Sequence, residues 1–187
     1  MFKRKEGAKS MEITLKPIGR MHSPFAKKED VTAARHLDPE GFLHVRGELE
    51  IFPEYTPGLQ DIDGFSHLIV LFAFHCSDTG SLWAHPPGDE KRRGVFSTRS
   101  PSRPNPIGMT IVRLIERRDN RLLVTEVDMI EGTPILDIKP YTSRDRKENP
   151  RFGWIENRKK KESEPKKADS TPQKESNTSS GSDASSR

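Results

Sequence analysis

Leu43-His-Val-Arg-Gly-Glu-Leu-Glu-Ile-Phe52 decides the fold class. Leu43, Val45, Leu49 and Ile51 fall on one side, with His44, Arg46, Glu48 and Glu50 on the other. That twofold period is the signature of a half-buried strand. Pro53 ends it, because a proline cannot donate a ladder hydrogen bond. Downstream, Pro57-Gly58 and Asp63-Gly64 are turn signals. The run Ser66–His75 is apolar almost throughout, too short for a typical buried helix and rich in Phe, Ile and Val. It reads as a central strand covered on both faces, with His67 and His75 on one of them. Asp78–Arg93 reads as a loop. Met109–Arg117 and Leu122–Ile130 read as a hairpin joined by Arg118-Asp-Asn-Arg121. Thr133–Lys139 is a last short strand before Pro140. Upstream, Val31–His36 offers one short turn of helix with Asp30 as its cap. At least five closely spaced strands with frequent Pro and Gly predict a mainly β protein, a barrel or sandwich, over residues 11–154.

The ends differ from this core. The first ten residues are basic and polar, and residues 155–187 run from a basic cluster into a Ser-rich stretch. From Glu162 onward there is no aromatic, Leu, Ile or Val, so little apolar surface is available to offset ordering entropy, and a disordered tail is expected. The net charge is +4. Residues 1–10 carry +3 and residues 151–187 another +3, which leaves −2 for residues 11–150. Affinity for a polyanion must therefore come from the ends or from a local patch. Cys76 is the single cysteine, which excludes an intramolecular disulfide and multi-Cys metal sites; it reads as a small buried residue. No apolar run reaches the length of a membrane span, and no signal-peptide centre is present. A cytoplasmic protein without a membrane segment is the expectation.

The core lacks a dinucleotide-binding glycine fingerprint, a phosphate-binding loop, a hydrolase nucleophile elbow and a zinc-protease motif. Its unusual segment is Gly94-Val-Phe-Ser-Thr-Arg-Ser-Pro-Ser-Arg-Pro-Asn-Pro-Ile-Gly108. Pro101, Pro104 and Pro106 stiffen it and bias the residues before them toward extended backbone. Arg99 and Arg103 present planar forks suited to carboxylate or phosphate, and Asn105 offers a donor and an acceptor. Gly94 and Gly108 bracket the loop and admit close approach. By composition alone this is either a ligand-facing arginine loop or a proline-rich crossover with solvated arginines. Asp137, Lys139 and Tyr141 would share one face of a strand, either as a rim salt bridge or as a proton acceptor with positioning groups. His67 and His75 are roughly 26 Å apart along an extended strand, so they cannot share one ion, and no metal site is expected.

Five segments in order carry a resemblance: Ile18–Phe25, Phe52–Leu59, Gly64–Leu68 running into Phe74-His75, Gly94–Gly108, and Gly132–Tyr141. Together they resemble the TsaA-like family, whose characterised members methylate N6 of threonylcarbamoyl-adenosine at tRNA position 37. The resemblance implies a small single-sheet β-barrel with short helical turns. It also implies S-adenosylmethionine as cofactor, a homodimer with its sites at the interface, and the tRNA anticodon loop as partner. Carried over by motif, the cofactor residues would be His75, Cys76, Arg99, Met109, Thr125, Glu126, Val127 and Asp128. Ala34, Arg35 and His36 stand where members often carry Pro-Arg-Gln. Asp137, Lys139 and Tyr141 would be catalytic candidates, with Asp137 the proton acceptor, and Arg103 and Asn105 substrate-side candidates. The alternative is a non-catalytic regulator on the same barrel that binds S-adenosylmethionine or RNA.

Overall fold

The computed structural model describes residues 12–37, 41–78, 80–87, 89 and 91–156. The elements in order are β1 (Gly19–His22), α1 (Lys28–Leu37), β2 (Arg46–Ile51), β3 (His67–Ala73), β4 (Trp83–Ala84), β5 (Arg93–Gly94), β6 (Ile107–Arg118), β7 (Arg121–Thr125) and β8 (Pro134–Pro140). Short 3-10 turns cover Pro53–Leu59, Ile62–Gly64 and Val95–Ser97. Six strands close into one antiparallel barrel in the order β1-β2-β7-β6-β3-β8, and β1 pairs back onto β8 through Gly19 and Ile135. One compact unit ends at Glu148; a second begins at Asn149. The expected basic N-terminus, residues 1–10, and most of the expected tail, from Asn157 onward, lie outside the described residues.

Alternation builds the interior. Leu49 and Ile51 on β2, Leu68, Val70 and Phe72 on β3, Val112 on β6, Leu122 and Val124 on β7, and Ile135 on β8 are all buried. A fully buried side chain of this size contributes about 1.5–3 kcal/mol over its exposed state, so the inward rows hold the closed sheet together. The β6–β7 hairpin turns at Asp119-Asn120, with Asp119 at φ 52°. Asn120 ties the turn to β2, donating from Nδ2 to the Ile51 carbonyl (2.7 Å) and accepting from the Ile51 N–H (2.8 Å).

Several expectations need correction. The central strand is not covered on both faces: Leu68, Val70 and Phe72 alternate with half-buried His67, Ile69, Leu71 and Ala73, because a barrel has only one interior. β2 begins at Arg46, since residues 41–44 form a turn closed by the Val45 N–H on the Phe42 carbonyl, and Leu43 is exposed. β7 stops at Thr125, where Glu126 takes φ 69° and ends the ladder. The 78–93 region contains paired strands, Trp83 with Gly94 and Ala84 with Arg93. The helix has ten residues. Asp30 sits in its first turn and reaches back to accept the Ala26 and Lys27 N–H groups at 3.0 and 3.1 Å, an N3 carboxylate acting on the cap. Cys76 is exposed, because β3 ends at Ala73 and the chain turns there.

Candidate active site

The loop between β5 and β6 divides its two arginines. Arg103 is half-buried and turns inward on its own loop: Nε donates to the Ser100 carbonyl (2.9 Å), and Nη2 to the carbonyls of Thr98 (2.8 Å) and Val95 (3.2 Å). Thr98 closes the preceding 3-10 turn through Oγ1 to the Val95 carbonyl, 2.8 Å. This staple leaves Arg99 exposed, with no hydrogen bond or ion pair among the described residues. Asn105 is exposed beyond it, and its carbonyl accepts the Ile107 N–H at 2.7 Å. Of the two bracketing glycines, only Gly108 is demanded by space. A Cβ there would lie 2.3 Å from the Phe72 ring, whereas one on Gly94 would meet nothing within 4 Å.

Arg99 faces a cleft of about 290 Å³ lined also by Phe42, Leu43, Thr110, Ile111, Glu126 and Asp128. That size lies at the lower end of small-ligand sites. A second cleft of about 250 Å³ adjoins it, sharing Leu43 and Glu126 and adding His44, Arg46, Arg113, Ile115 and Thr125. Glu126 therefore stands in the wall between the two. Its left-handed backbone costs a non-glycine residue about 1–3 kcal/mol, and such strain gathers at functional sites. Its Oε1 lies 3.9 Å from His67 Nε2.

Asp137 and Lys139 of the D-x-K-x-Y group occupy the outer face of β8. Asp137 Oδ2 lies 2.5 Å from Lys139 Nζ. Tyr141 follows the strand end: its N–H donates to the His67 carbonyl (3.0 Å), and its ring meets the His67 ring edge-on at 6.3 Å. The register sets Met109, Leu71 and Asp137 in one row across β6, β3 and β8, and Ile111, Ile69 and Lys139 in the next. The rim-salt-bridge reading of Asp137 and Lys139 is thus realised, on the same face as the cleft but across the apolar strip of β3.

The sequence of the whole barrel also places the chain among known proteins. The tRNA-methyltransferase O N-terminal domain matches residues 20–145. The chain belongs to the tRNA-methyltransferase O family, of TsaA-like barrels. A probable S-adenosyl-L-methionine-binding protein of Pyrococcus abyssi is 45% identical over 145 residues, 77% of each chain. The tRNA (adenine(37)-N6)-methyltransferases of Escherichia coli and Homo sapiens are 38% and 36% identical over 66% and 69% of this chain. Those matches span only 55% and 30% of the two longer proteins. A crystal structure of TrmO from Pseudomonas aeruginosa superposes with a TM-score of 0.60 at 33% identity, covering 77% of this chain and 63% of that one.

Within this family member, Arg99, Glu126 and Asp128 meet in the first cleft and Thr125 joins Glu126 in the second. Val127 turns its side chain into the core with no exposure, so that segment offers a ligand its other side chains or its backbone. Met109 is on the outer face at 46% exposure, and His75 and Cys76 are exposed on the turn after β3. Neither cleft wall includes these three. Ala34, Arg35 and His36 fall at the end of α1; the side chains of Arg35 and His36 lie outside the described residues. Among the described residues no group of His, Cys, Asp and Glu is placed to hold a metal ion, and no helix is long and apolar enough to cross a membrane. Sequence reasoning missed Phe42, Leu43, Thr110 and Ile111. Thr110 had a signal, a hydroxyl at an inward position between Gly108 and Val112. Phe42 had none, because only the turn before β2 brings it to the site.

Proposed function

We propose that this protein transfers a methyl group from S-adenosylmethionine to N6 of threonylcarbamoyl-adenosine at position 37 of tRNA, in the cytoplasm, where that substrate is used. The observation that carries the reading is the convergence of Arg99, Glu126 and Asp128 on one cleft of a tRNA-methyltransferase O barrel. The donor set fits the cofactor's chemistry. Arg99 is a free fork for a carboxylate, Glu126 and Asp128 suit an ammonium or ribose hydroxyls, and Phe42, Leu43 and Ile111 suit an apolar ring. When bound, the cofactor supplies a methyl group already activated on a sulfonium.

The chain's own part is to position the acceptor, exclude water and take one proton from N6. Asp137 is our candidate for that proton, with Lys139 holding its carboxylate and Tyr141 orienting the acceptor nucleoside. Asp137 lies two strands from the β6 edge of the cleft, roughly 10 Å at ordinary strand spacing. We infer that a second copy completes the site. The half-exposed face of Ile107, Met109 and Ile111 on β6, continuous with Ile69 and Leu71 on β3, supports a homodimer. The anticodon loop suits this face because its bases are single-stranded and accessible.

The same separation favours a second reading, a non-catalytic binder of S-adenosylmethionine. A methyl-transfer assay on tRNA with and without the threonylcarbamoyl group, followed by nucleoside mass spectrometry, decides between them. A methylated product dependent on that group is expected. Cofactor and tRNA both bound with no product would leave the binder.

A further inference from the structure

Arginines elsewhere on the barrel wall are paired. Arg20 meets Glu50, Arg121 meets Glu48 and Glu50, Arg118 meets Glu116, and Arg117 meets Asp63. Arg46 and Arg113 differ: neither side chain makes a hydrogen bond or ion pair among the described residues, and both are exposed. The register places them in one row on the outer face, Arg46–Thr125–Arg113–His67, across β2, β7, β6 and β3. Two strand spacings separate their Cα atoms, roughly 10 Å, with Thr125 between. The second cleft lies over this row, so two guanidinium groups flank it from opposite sides.

Its wall holds a single carboxylate, Glu126, which already neighbours His67. The local balance is therefore positive, on a core whose total charge is −2. Two backbone irregularities shape the cleft. Ile115 is the extra residue of a bulge between Leu114 and Glu116, which re-aims its side chain, and Glu126 is left-handed. Leu43 and Ile115 are 42% and 50% exposed, giving apolar surface between the charged rims. A planar fork on each side of an apolar bed suits a nucleotide unit, with phosphate on the forks and ribose or base against the bed.

We propose that this second cleft is a phosphate subsite. It holds a backbone phosphodiester of the RNA strand beside the target nucleoside, while that nucleoside occupies the mouth of the Arg99 cleft. The shared wall of Leu43 and Glu126 makes the two clefts neighbours, as adjacent nucleotides require. This rests on the tRNA methyltransferase reading and deepens it by assigning the residues that grip the strand.

The test uses the full chain with Arg46→Gln, Arg113→Gln, the double variant, and Arg118→Gln as a paired-arginine control. Thermal unfolding verifies the fold of each. Equilibrium binding of threonylcarbamoylated tRNA is measured over a salt series, alongside cofactor affinity by calorimetry and steady-state methylation. Each cleft substitution should weaken tRNA binding roughly tenfold. It should also lower the magnitude of the log–log salt slope by about 0.7, the value for one released contact on a single strand. Cofactor affinity should stay at the wild-type value, and the loss in methylation should fall on KM for tRNA. Arg→Lys at both sites should restore the slope but only part of the affinity, because charge returns without the fork. A double variant with wild-type slope and affinity, or an Arg118 variant as weakened as it, overturns the subsite. Binding is read independently of turnover. A wild-type protein that binds tRNA without methylating it therefore refutes the methyltransferase reading alone, whereas one that binds no tRNA refutes both.

Discussion

Arg99 and Arg103 lie four residues apart, and the structure gives them opposite work. Arg103 saturates three carbonyls of its own loop, while Arg99 is left with its donors unused. Arg99→Ala should therefore lose cofactor affinity by about 1.5–3 kcal/mol, the range for a hydrogen bond to a charged group, with an unchanged unfolding midpoint. Arg103→Ala should instead lower the midpoint, by about 1–3 kcal/mol in stability, because the carbonyls it satisfies lose their donor. Calorimetry and thermal unfolding on both variants test the division; matching losses would contradict it. A second residue-scale prediction concerns pH. Glu50 accepts from Arg20 Nε and pairs with His22 Nε2, each at 2.7 Å, and these contacts hold its carboxyl down to about 2. The Glu50 carboxylate, followed by Glu131, raises His22 above its ordinary 6.5. Glu50's contribution is full above its ordinary 4.5 and fades as pH falls toward 2. That of His22 is full below 6.5 and fades as pH rises past its raised value. Stability from this cluster should peak between those limits, and Glu50→Gln should flatten both flanks of a midpoint-versus-pH curve.

At the scale of elements, β6 shows what a strand must supply to hold a site. Gly108 faces Phe72 across the β3–β6 ladder, where a Cβ would press into the ring. Gly108→Ala should cost about 1–3 kcal/mol by overpacking. Pairing it with Phe72→Leu should cost less than the two single losses summed, since the clash is removed; additive costs in urea unfolding would exclude this contact as the cause. The alternation that makes these strands was readable in the sequence, and so were the β6–β7 hairpin and the start of β8. Their ends were not. β7 stops because Glu126 becomes left-handed, and Ile115 and Leu136 are bulge residues fixed by how partner strands register. A period count on one strand carries no information about its neighbour's phase. The proline spacing marked the arginine loop as stiff, yet which arginine it would absorb depended on the positions of the carbonyls of Val95 and Thr98.

For the molecule as a whole, the apolar run in Ser66–His75 suggested a strand buried on both sides, and the barrel buries one. The residue types were right for a two-sided environment, which a second copy on the β3–β6 face would supply. Leu71→Arg should convert a dimer to a monomer in sedimentation equilibrium and reduce methyl transfer, while leaving the barrel's unfolding cooperative. A wild-type monomer at working concentrations would refute the assembly.

The closed order of the six strands has a consequence for how any such assembly behaves. A barrel whose first and last strands pair has no free edge strand, and its one-sided stretches are short, residues 107–112 of β6 and 137–140 of β8. Another molecule, whether protein or RNA, therefore meets most of the barrel wall through side chains, with no full strand edge on which to extend the sheet. Partners can arrive and leave without a barrel hydrogen bond being broken, so exchange at this face is governed by desolvation and charge and is uncoupled from refolding.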